Sequence, residues 1–232
     1  MRLFIDTGSV EEVREIAAWG VLAGATTNPT LLAREQRDPG EAIREICDLV
    51  GGPVSAEVVA DDPTGMIEQG RALAKLHEHV VVKVPFSAAG LEATRELFEE
   101  RIAVNMTLVF SPNQALLASQ AGAQYVSCFM GRLDDVSIDS EEVLAGIIGA
   151  LRPGGITSQV LAASIRHPEH VVTAAQLGCE IATVPGKVLK AMISHPLTTA
   201  GIERFNADWS SRPELGVWLE RLVESRPMAS TR

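Results

Sequence analysis

The sequence predicts an α/β fold, a (β/α)8 TIM barrel with additional C-terminal helices. Three observations predict it. Eight short β-rich runs alternate with helical patterns over about 200 residues, helix-start signals follow most of them, and no linker-like segment interrupts the series. The runner-up is an open doubly wound sheet, but no GxGxxG follows the first run, which weakens its dinucleotide-binding version. A chain of 232 residues with 46% hydrophobic content is ample for one core.

The strand candidates, in order, are "RLFID" (2–6), "GATTN" (24–28), "VSAEVV" (54–59), "VVVKV" (80–84), "IAVNMT" (102–107), "QYVSCF" (124–129), "SQVLAA" (158–163) and "EIATV" (180–184). Each is short and rich in β-branched or small apolar residues. Between them, Ser9 with Glu12 spells a capping box. Asp62-Pro63 places an N-cap before a proline at the first helical position, and Ser111-Pro112 repeats this with Gln114 three residues on. Gly122 and Gly178 fit helix C-terminal stops. After the eighth run, "HPLTTAGIERF" and "PELGVWLERLVE" add helices that a barrel does not need. Leu215, Trp218, Leu219 and Leu222 recur at helical spacing and need an apolar surface, either the chain's own barrel or another subunit. The expected division is 1–209, a catalytic barrel with the first C-terminal helix, and 210–232, a last helix and tail.

The balance is 20 basic against 30 acidic residues, a net charge of −10, with no basic patch, so no nucleic-acid partner is expected. A few local arginines still suffice to hold a phosphate. Cys47, Cys128 and Cys179 are far apart, form no CxxC, and read as reduced thiols of a cytoplasmic protein. The start "MRLFIDTGS" meets Asp6 too early for a signal peptide, and no run reaches the ~18 apolar residues of a membrane span.

The chemistry gathers at the C-terminal ends of the runs, where barrels of this kind carry their active sites. Asp6 ends the first, Thr26 and Asn28 the second. Glu57 lies in the third, Lys83 in the fourth, and Asn105 and Thr107 end the fifth. Ser127 and Phe129 lie in the sixth, followed by Arg132, and Ser164 and Arg166 follow the seventh. Each has an ordinary structural explanation. A lone strand lysine usually marks a solvent-facing edge, Glu57 fits a surface carboxylate, and the threonines and asparagines fit caps or turns. Arg132 fits an exposed pair with Asp134 or Asp135, and Ser164 to His167 a helix lead-in. Independent accidents, however, do not place polar groups at the same end of seven otherwise apolar strands.

Taken together, they give Lys83 a role. Burial disfavours the charged form of an amine, and a neutral amine attacks a ketone to form a Schiff base. The protonated imine is an electron sink that makes an adjacent C–C bond breakable. Asp6 and Glu57 are the candidate proton shuttles, Thr107 a residue that positions water, and Arg132, Ser164 and Arg166 a phosphate clamp. His77, His79, His167, His170 and His195 do not sit on strand ends as a ligand set, which disfavours a metal-dependent aldolase. A non-catalytic sugar-phosphate binder would not need the buried amine.

With those residues in place, the chain resembles the transaldolase family in its short, single-domain form, which includes fructose-6-phosphate aldolases. The resemblance runs from residue 1 to about 209. It rests on "FIDTGS" (4–9), "GATTNPTLL" (24–32), "VSAEV" (54–58), "VVVKVP" (80–85), "NMTLVFSPNQALLA" (105–118), "YVSCFMGRLDD" (125–135), "AASIRHP" (162–168), "IATVP" (181–185) and "HPLTTAGIERFNADW" (195–209). The resemblance implies a (β/α)8 barrel and Schiff-base aldol chemistry on sugar phosphates with no metal or organic cofactor. It also implies a homo-oligomer, a decamer of two pentamers. In its terms Lys83 is the Schiff-base lysine, Asp6 the acid/base at the donor hydroxyl, and Glu57 with Thr107 the holder of the catalytic water. Asn28 and Asn105, helped by Thr26 and Ser127, bind the dihydroxyacetone unit, and Arg132, Ser164 and Arg166 bind phosphate. Glu57 and Phe129 match transaldolases, where the aldolases carry Gln and Tyr. Cys128, Met130 and Gly186 depart from the family pattern near the expected site mouth. Gly186, in place of an aromatic, implies added space and a longer acceptor such as a five-carbon aldose phosphate, giving an eight-carbon ketose phosphate.

Overall fold

The structure, a computed structural model, describes residues 1–152 and 156–225. In chain order the elements are β1 (Arg2–Asp6), α1 (Val10–Ala17), β2 (Leu22–Thr26), α2 (Pro29–Leu32), α3 (Pro39–Val50), β3 (Val54–Glu57), α4 (Pro63–Ala74), β4 (Val80–Pro85), α5 (Ala88–Glu99) and β5 (Val104–Val109). There follow α6 (Pro112–Gln120), β6 (Tyr125–Phe129), α7 (Met130–Asp134), α8 (Ser140–Leu151), β7 (Gln159–Ala163), α9 (Pro168–Gln176), β8 (Ile181–Val184), α10 (Gly186–Ile193), α11 (Pro196–Ser210) and α12 (Pro213–Glu224). The eight strands are all parallel and close in sequence order, with β8 returning to β1, which is the (β/α)8 barrel. Among the described residues no helix is long and apolar enough to cross a membrane.

Strand alternation explains what the barrel encloses. Phe4, Val81, Tyr125, Leu161 and Ile181 form one apolar cluster. Each lies two residues before a residue nearer its strand's C-terminal end: Asp6, Lys83, Ser127, Ala163 and Thr183. Side chains two apart share a face, so an apolar floor lies beneath a mostly polar layer inside the barrel. The intervening residues point the other way. Val80, Met106, Val126 and Ala182 join one cluster, and Val82, Val84 and Val104 another, in company with the surrounding helices. The valine run around Lys83 is therefore buried on both faces, as parallel strands under helices should be.

The floor demands one particular residue on β2. The register between β1 and β2 slips between Leu3 and Phe4, so Phe4 comes opposite Gly24. A Cβ on Gly24 would lie 2.5 Å from the Phe4 ring. Only glycine leaves that ring its place.

Local signals came out unevenly. Asp62 accepts from the Gly65 amide at 3.0 Å, and Ser111 from the Gln114 amide at 3.3 Å. Gly122 and Gly178 close helices at φ +100° and +78°, where a side chain would be strained. The expected capping box at α1 does not form. The Ser9 side chain makes no cap bond, and Glu12 does not reach back to it, because its carboxylate lies against Gly186 instead. The second strand ends two residues earlier than expected, because Asn28 leaves the ladder to cap α2, accepting from the Leu31 amide at 2.9 Å. The fifth runs two residues further, through a register shift at Leu108, whose φ is +60°.

Contacts divide the chain into two compact units, Met1–Ala191 and Met192–Arg232, so α11 falls in the second. That unit holds α11 and α12, whose described residues are not buried. Trp218, Leu219 and Leu222 of the expected stripe are 57%, 43% and 52% exposed.

Gly24→Ala should destabilise the fold by about 1–3 kcal/mol through overpacking of the floor. Adding Phe4→Leu should recover part of that loss. Urea unfolding of the single and double variants is the check, and strictly additive destabilisation would contradict the contact.

Candidate active site

The polar layer holds the lysine in a defined environment. Lys83 is 5% exposed, and its Nζ lies 3.0 Å from Glu57 Oε2 and donates to the Thr27 carbonyl at 3.1 Å. The register makes this unavoidable: Glu57 on β3 is the direct neighbour of Lys83, and Asn105 on β5 is its neighbour on the other side. Thr27 is fixed in turn, its amide and hydroxyl both donating to the Ser55 carbonyl, at 2.9 and 2.8 Å.

Asp6 sits across the same interior. It accepts from Thr26 Oγ1 at 2.7 Å, and Thr26 also bonds Thr183 Oγ1 at 2.6 Å. Burial raises the Asp6 pKa above the ordinary carboxylate value of 3.8; Lys83 and the Thr26 bond oppose this, and Glu57 and Glu12 add to it. Asn105 is clamped at both ends, donating to Ser55 Oγ at 3.0 Å and accepting from Ser127 Oγ at 2.6 Å. Thr107 differs from these: its Oγ1 is buried and has no hydrogen-bond partner among the described residues, although buried hydroxyls are normally satisfied.

The outer part of the site comes from β6, α7 and the segment after β7. The Phe129 ring meets Phe110 edge-on at 6.0 Å, and the Arg132 guanidinium lies 5.3 Å from the Phe129 centroid. Ser164 adopts φ +57°, a left-handed conformation that is unusual for serine. Its carbonyl accepts from the Gly131 amide at 3.1 Å. Arg166 pairs with Asp135 at 2.8 Å, in the open.

A cavity of about 200 Å³ connects these groups. Nine of the twelve expected residues line it: Asp6, Thr26, Asn28, Lys83, Ser127, Phe129, Arg132, Ser164 and Arg166. Glu57, Asn105 and Thr107 stand outside the lining, the first two bonded to Lys83 and Ser127 respectively, and no bond joins Glu57 to Thr107. Thr183, Ser55 and the Thr27 carbonyl belong to the network and were not expected. Thr183 and Ser55 were findable, since Ser55 is two residues before Glu57 and Thr183 occupies the polar level of its own strand. A carbonyl leaves no mark in a sequence. A larger cavity of about 700 Å³, lined by Phe98, Arg101, Gln124 and Ser158 among others, lies toward the N-terminal ends of the strands and holds none of the expected residues.

Two of the three departures near the mouth need correction. Cys128 in β6 and Met130 in α7 are buried in the apolar layer between strands and helices and do not line the cavity. Burial pushes the Cys128 thiol up to about 12. A Cβ on Gly186 would meet the Glu12 carboxylate, yet the glycine itself faces open space. Beside it lies a second cavity of about 400 Å³, lined by Glu12, Glu35, Arg34 and Lys187 and sharing Asp6 and Pro185 with the first. Among the described residues no group of three His, Cys, Asp or Glu could hold a metal ion.

Residues 3–225 match the protein family described as transaldolase/fructose-6-phosphate aldolase. A probable transaldolase of Brevibacillus brevis is 53% identical over 211 residues, covering 91% of this chain and 99% of that one. A probable transaldolase of a Thermoanaerobacter species is 52% identical over 209 residues, covering 90% and 97%. Among solved structures, the thiamine phosphate pyrophosphorylase of Pyrococcus furiosus superposes with a TM-score of 0.56 at 18% identity, over 79% of this chain and 85% of that one. At that identity the likeness concerns the fold alone.

The raised pKa of Asp6 has a consequence for stability. The folded chain holds the Asp6 proton more tightly than the unfolded chain does, so stability falls as pH rises from 3.8 through the raised folded value. Asp6→Asn keeps an acceptor for Thr26 and removes the charge. It should melt at a higher temperature than the wild type at pH 7, with the gap closing below about pH 4. A lower melting temperature at pH 7 would contradict this account.

Proposed function

We propose that this chain, which belongs to the transaldolase/fructose-6-phosphate aldolase family, works as a transaldolase that forms a Schiff base on Lys83. It would take a three-carbon dihydroxyacetone unit from fructose 6-phosphate or sedoheptulose 7-phosphate and pass it to an aldose phosphate. The observation that carries this reading is the lysine amine itself, 5% exposed, bonded to Glu57 and lining a cavity with Asp6. A buried lysine of that kind has no evident structural use in a strand.

The Lys83 amine adds to the donor's ketone carbon, and loss of water leaves a protonated imine. Asp6 then removes the proton from the C4 hydroxyl, and the C3–C4 bond breaks. Its electron pair moves into the imine to give an enamine, and the aldose phosphate departs. The enamine attacks the aldehyde carbon of the incoming acceptor, Asp6 returns the proton to the new hydroxyl, and water hydrolyses the imine. A carboxyl with a raised pKa exchanges its proton nearer neutrality, which suits both directions of this transfer. Glu57, beside Nζ, and the unpartnered Thr107 hydroxyl are suited to hold the water that is lost and regained. Asn28, Asn105, Thr26 and Ser127 offer amide and hydroxyl groups to the three-carbon unit, and Arg132, Ser164 and Arg166 take the phosphate.

Transfer is favoured over simple release of dihydroxyacetone by Phe129. Its ring lines the cavity without a hydroxyl that could assist water, so the enamine waits for an aldehyde. The names of the relatives point the same way. A longer acceptor, such as a five-carbon aldose phosphate giving an eight-carbon ketose phosphate, is the second reading, supported by the cavity that Gly186 lines beside Asp6.

Borohydride reduction in the presence of fructose 6-phosphate should attach a three-carbon unit to the peptide carrying Lys83, and Lys83→Met should abolish turnover without unfolding the chain. An adduct on Lys75 or Lys187 in its place would sink the assignment. Phe129→Tyr should raise the ratio of free dihydroxyacetone to transferred product. An unchanged ratio would remove Phe129 as the residue that partitions the two outcomes.

A further inference from the structure

We propose that His170 is a positioning residue that holds the two halves of the phosphate clamp in register, an inference that rests on the function proposed above. The clamp is built from two separate segments. Arg132 lies on α7, a helix of five residues, and Ser164 and Arg166 lie on the turn between β7 and α9. Neither segment is rigid by itself: the first is little more than one helical turn, and the second passes through the left-handed backbone of Ser164.

His170, on α9 and 9% exposed, touches both. Its Nδ1 accepts from the Arg166 amide at 3.4 Å, and its Nε2 lies 3.0 Å from Asp134 Oδ2, two residues along α7 from Arg132. An imidazole does both only as the neutral tautomer with its proton on Nε2. The ring thus links the backbone of one arginine segment to the carboxylate of the other. Two further ties exist. The Gly131 amide donates to the Ser164 carbonyl at 3.1 Å, and Arg166 pairs with Asp135 in the open. The second of these engages the guanidinium that a phosphate would need, so it competes with substrate for Arg166. The His170 bridge uses backbone and Asp134, and leaves both guanidinium groups free.

The groups around His170 suit this tautomer. His167 packs against it with the rings tilted by 50° and their centroids 3.9 Å apart, and Arg166 is close by. Burial first, then His167, and less strongly Arg166, disfavour a second proton, while Asp134 favours it; the balance lowers the pKa from 6.5. At neutral pH Nδ1 therefore stays an acceptor.

Three variants and three ligands test the proposal. His170→Leu removes both bonds. His170→Gln keeps a donor for Asp134 and loses the acceptor at Nδ1. His170→Asn keeps an acceptor near the Nδ1 position. The Leu and Gln variants should raise KM for fructose 6-phosphate, and the inhibition constant of inorganic phosphate against it, by roughly tenfold, with kcat little changed. The Asn variant should recover most of both. Borohydride trapping of Lys83 with dihydroxyacetone, which has no phosphate, should proceed at the wild-type rate in all three. Unchanged constants for phosphate and fructose 6-phosphate in the Gln variant would overturn the proposal. So would a parallel loss of dihydroxyacetone trapping, which would mark a general structural role. If wild-type Lys83 is trapped by neither ligand, the transaldolase reading falls and this inference falls with it.

Discussion

Lys83 and Glu57 meet at 3.0 Å inside a closed barrel, and the rest of the interior is arranged to make that contact tolerable. Charged groups taken from water are costly unless paired and fully bonded. Here the cost is contained by bonding the polar groups of the upper interior to one another. Below it lie Phe4, Val81, Tyr125, Leu161 and Ile181; at that level Thr26, Ser55, Thr183, Asn105 and Ser127 bond one another or the carboxyl of Asp6. Such a pair adds little to stability by itself. The stability comes from the floor and from the valine faces beneath the helices, and the polar layer is carried by them.

The same arrangement explains which parts of the molecule could be read from its sequence. The alternation of β-rich and helical runs made all eight strands legible, because burial on two faces leaves continuous apolar segments that few other folds produce in series. The strand-end polarity made the site legible for the same reason. Lys83 stands out because everything near it is valine. Thr183 is marked only by its place two residues beyond Ile181, a weak signal because threonine is ordinary in a strand, and its bond to Thr26 confirms it. The Thr27 carbonyl was beyond reach, since a backbone acceptor has no side-chain signature.

Errors arose where a residue's neighbour is distant in sequence. Ser9 and Glu12 have the spacing of a capping box, yet Glu12 is drawn to a glycine 174 positions away. At Gly186 the Glu12 carboxylate occupies the place of a side chain, while the glycine still borders a cavity. Cys128 looked like part of the mouth because it lies between Ser127 and Phe129. Strand alternation turns it to the other face, into the layer under the helices.

The sealed floor also governs traffic. With Phe4 and Leu161 fully buried and Tyr125 nearly so, the floor closes the interior on the side of the strands' N-terminal ends. In the proposed reaction, sugar, departing aldehyde and any water exchanged at Lys83 would therefore all come and go at the strands' C-terminal ends. A ketose phosphate with its phosphate against the arginines would stand between the deeper polar groups and solvent. The order of events would then follow from access as much as from chemistry, the next aldehyde refilling the place the upper fragment leaves.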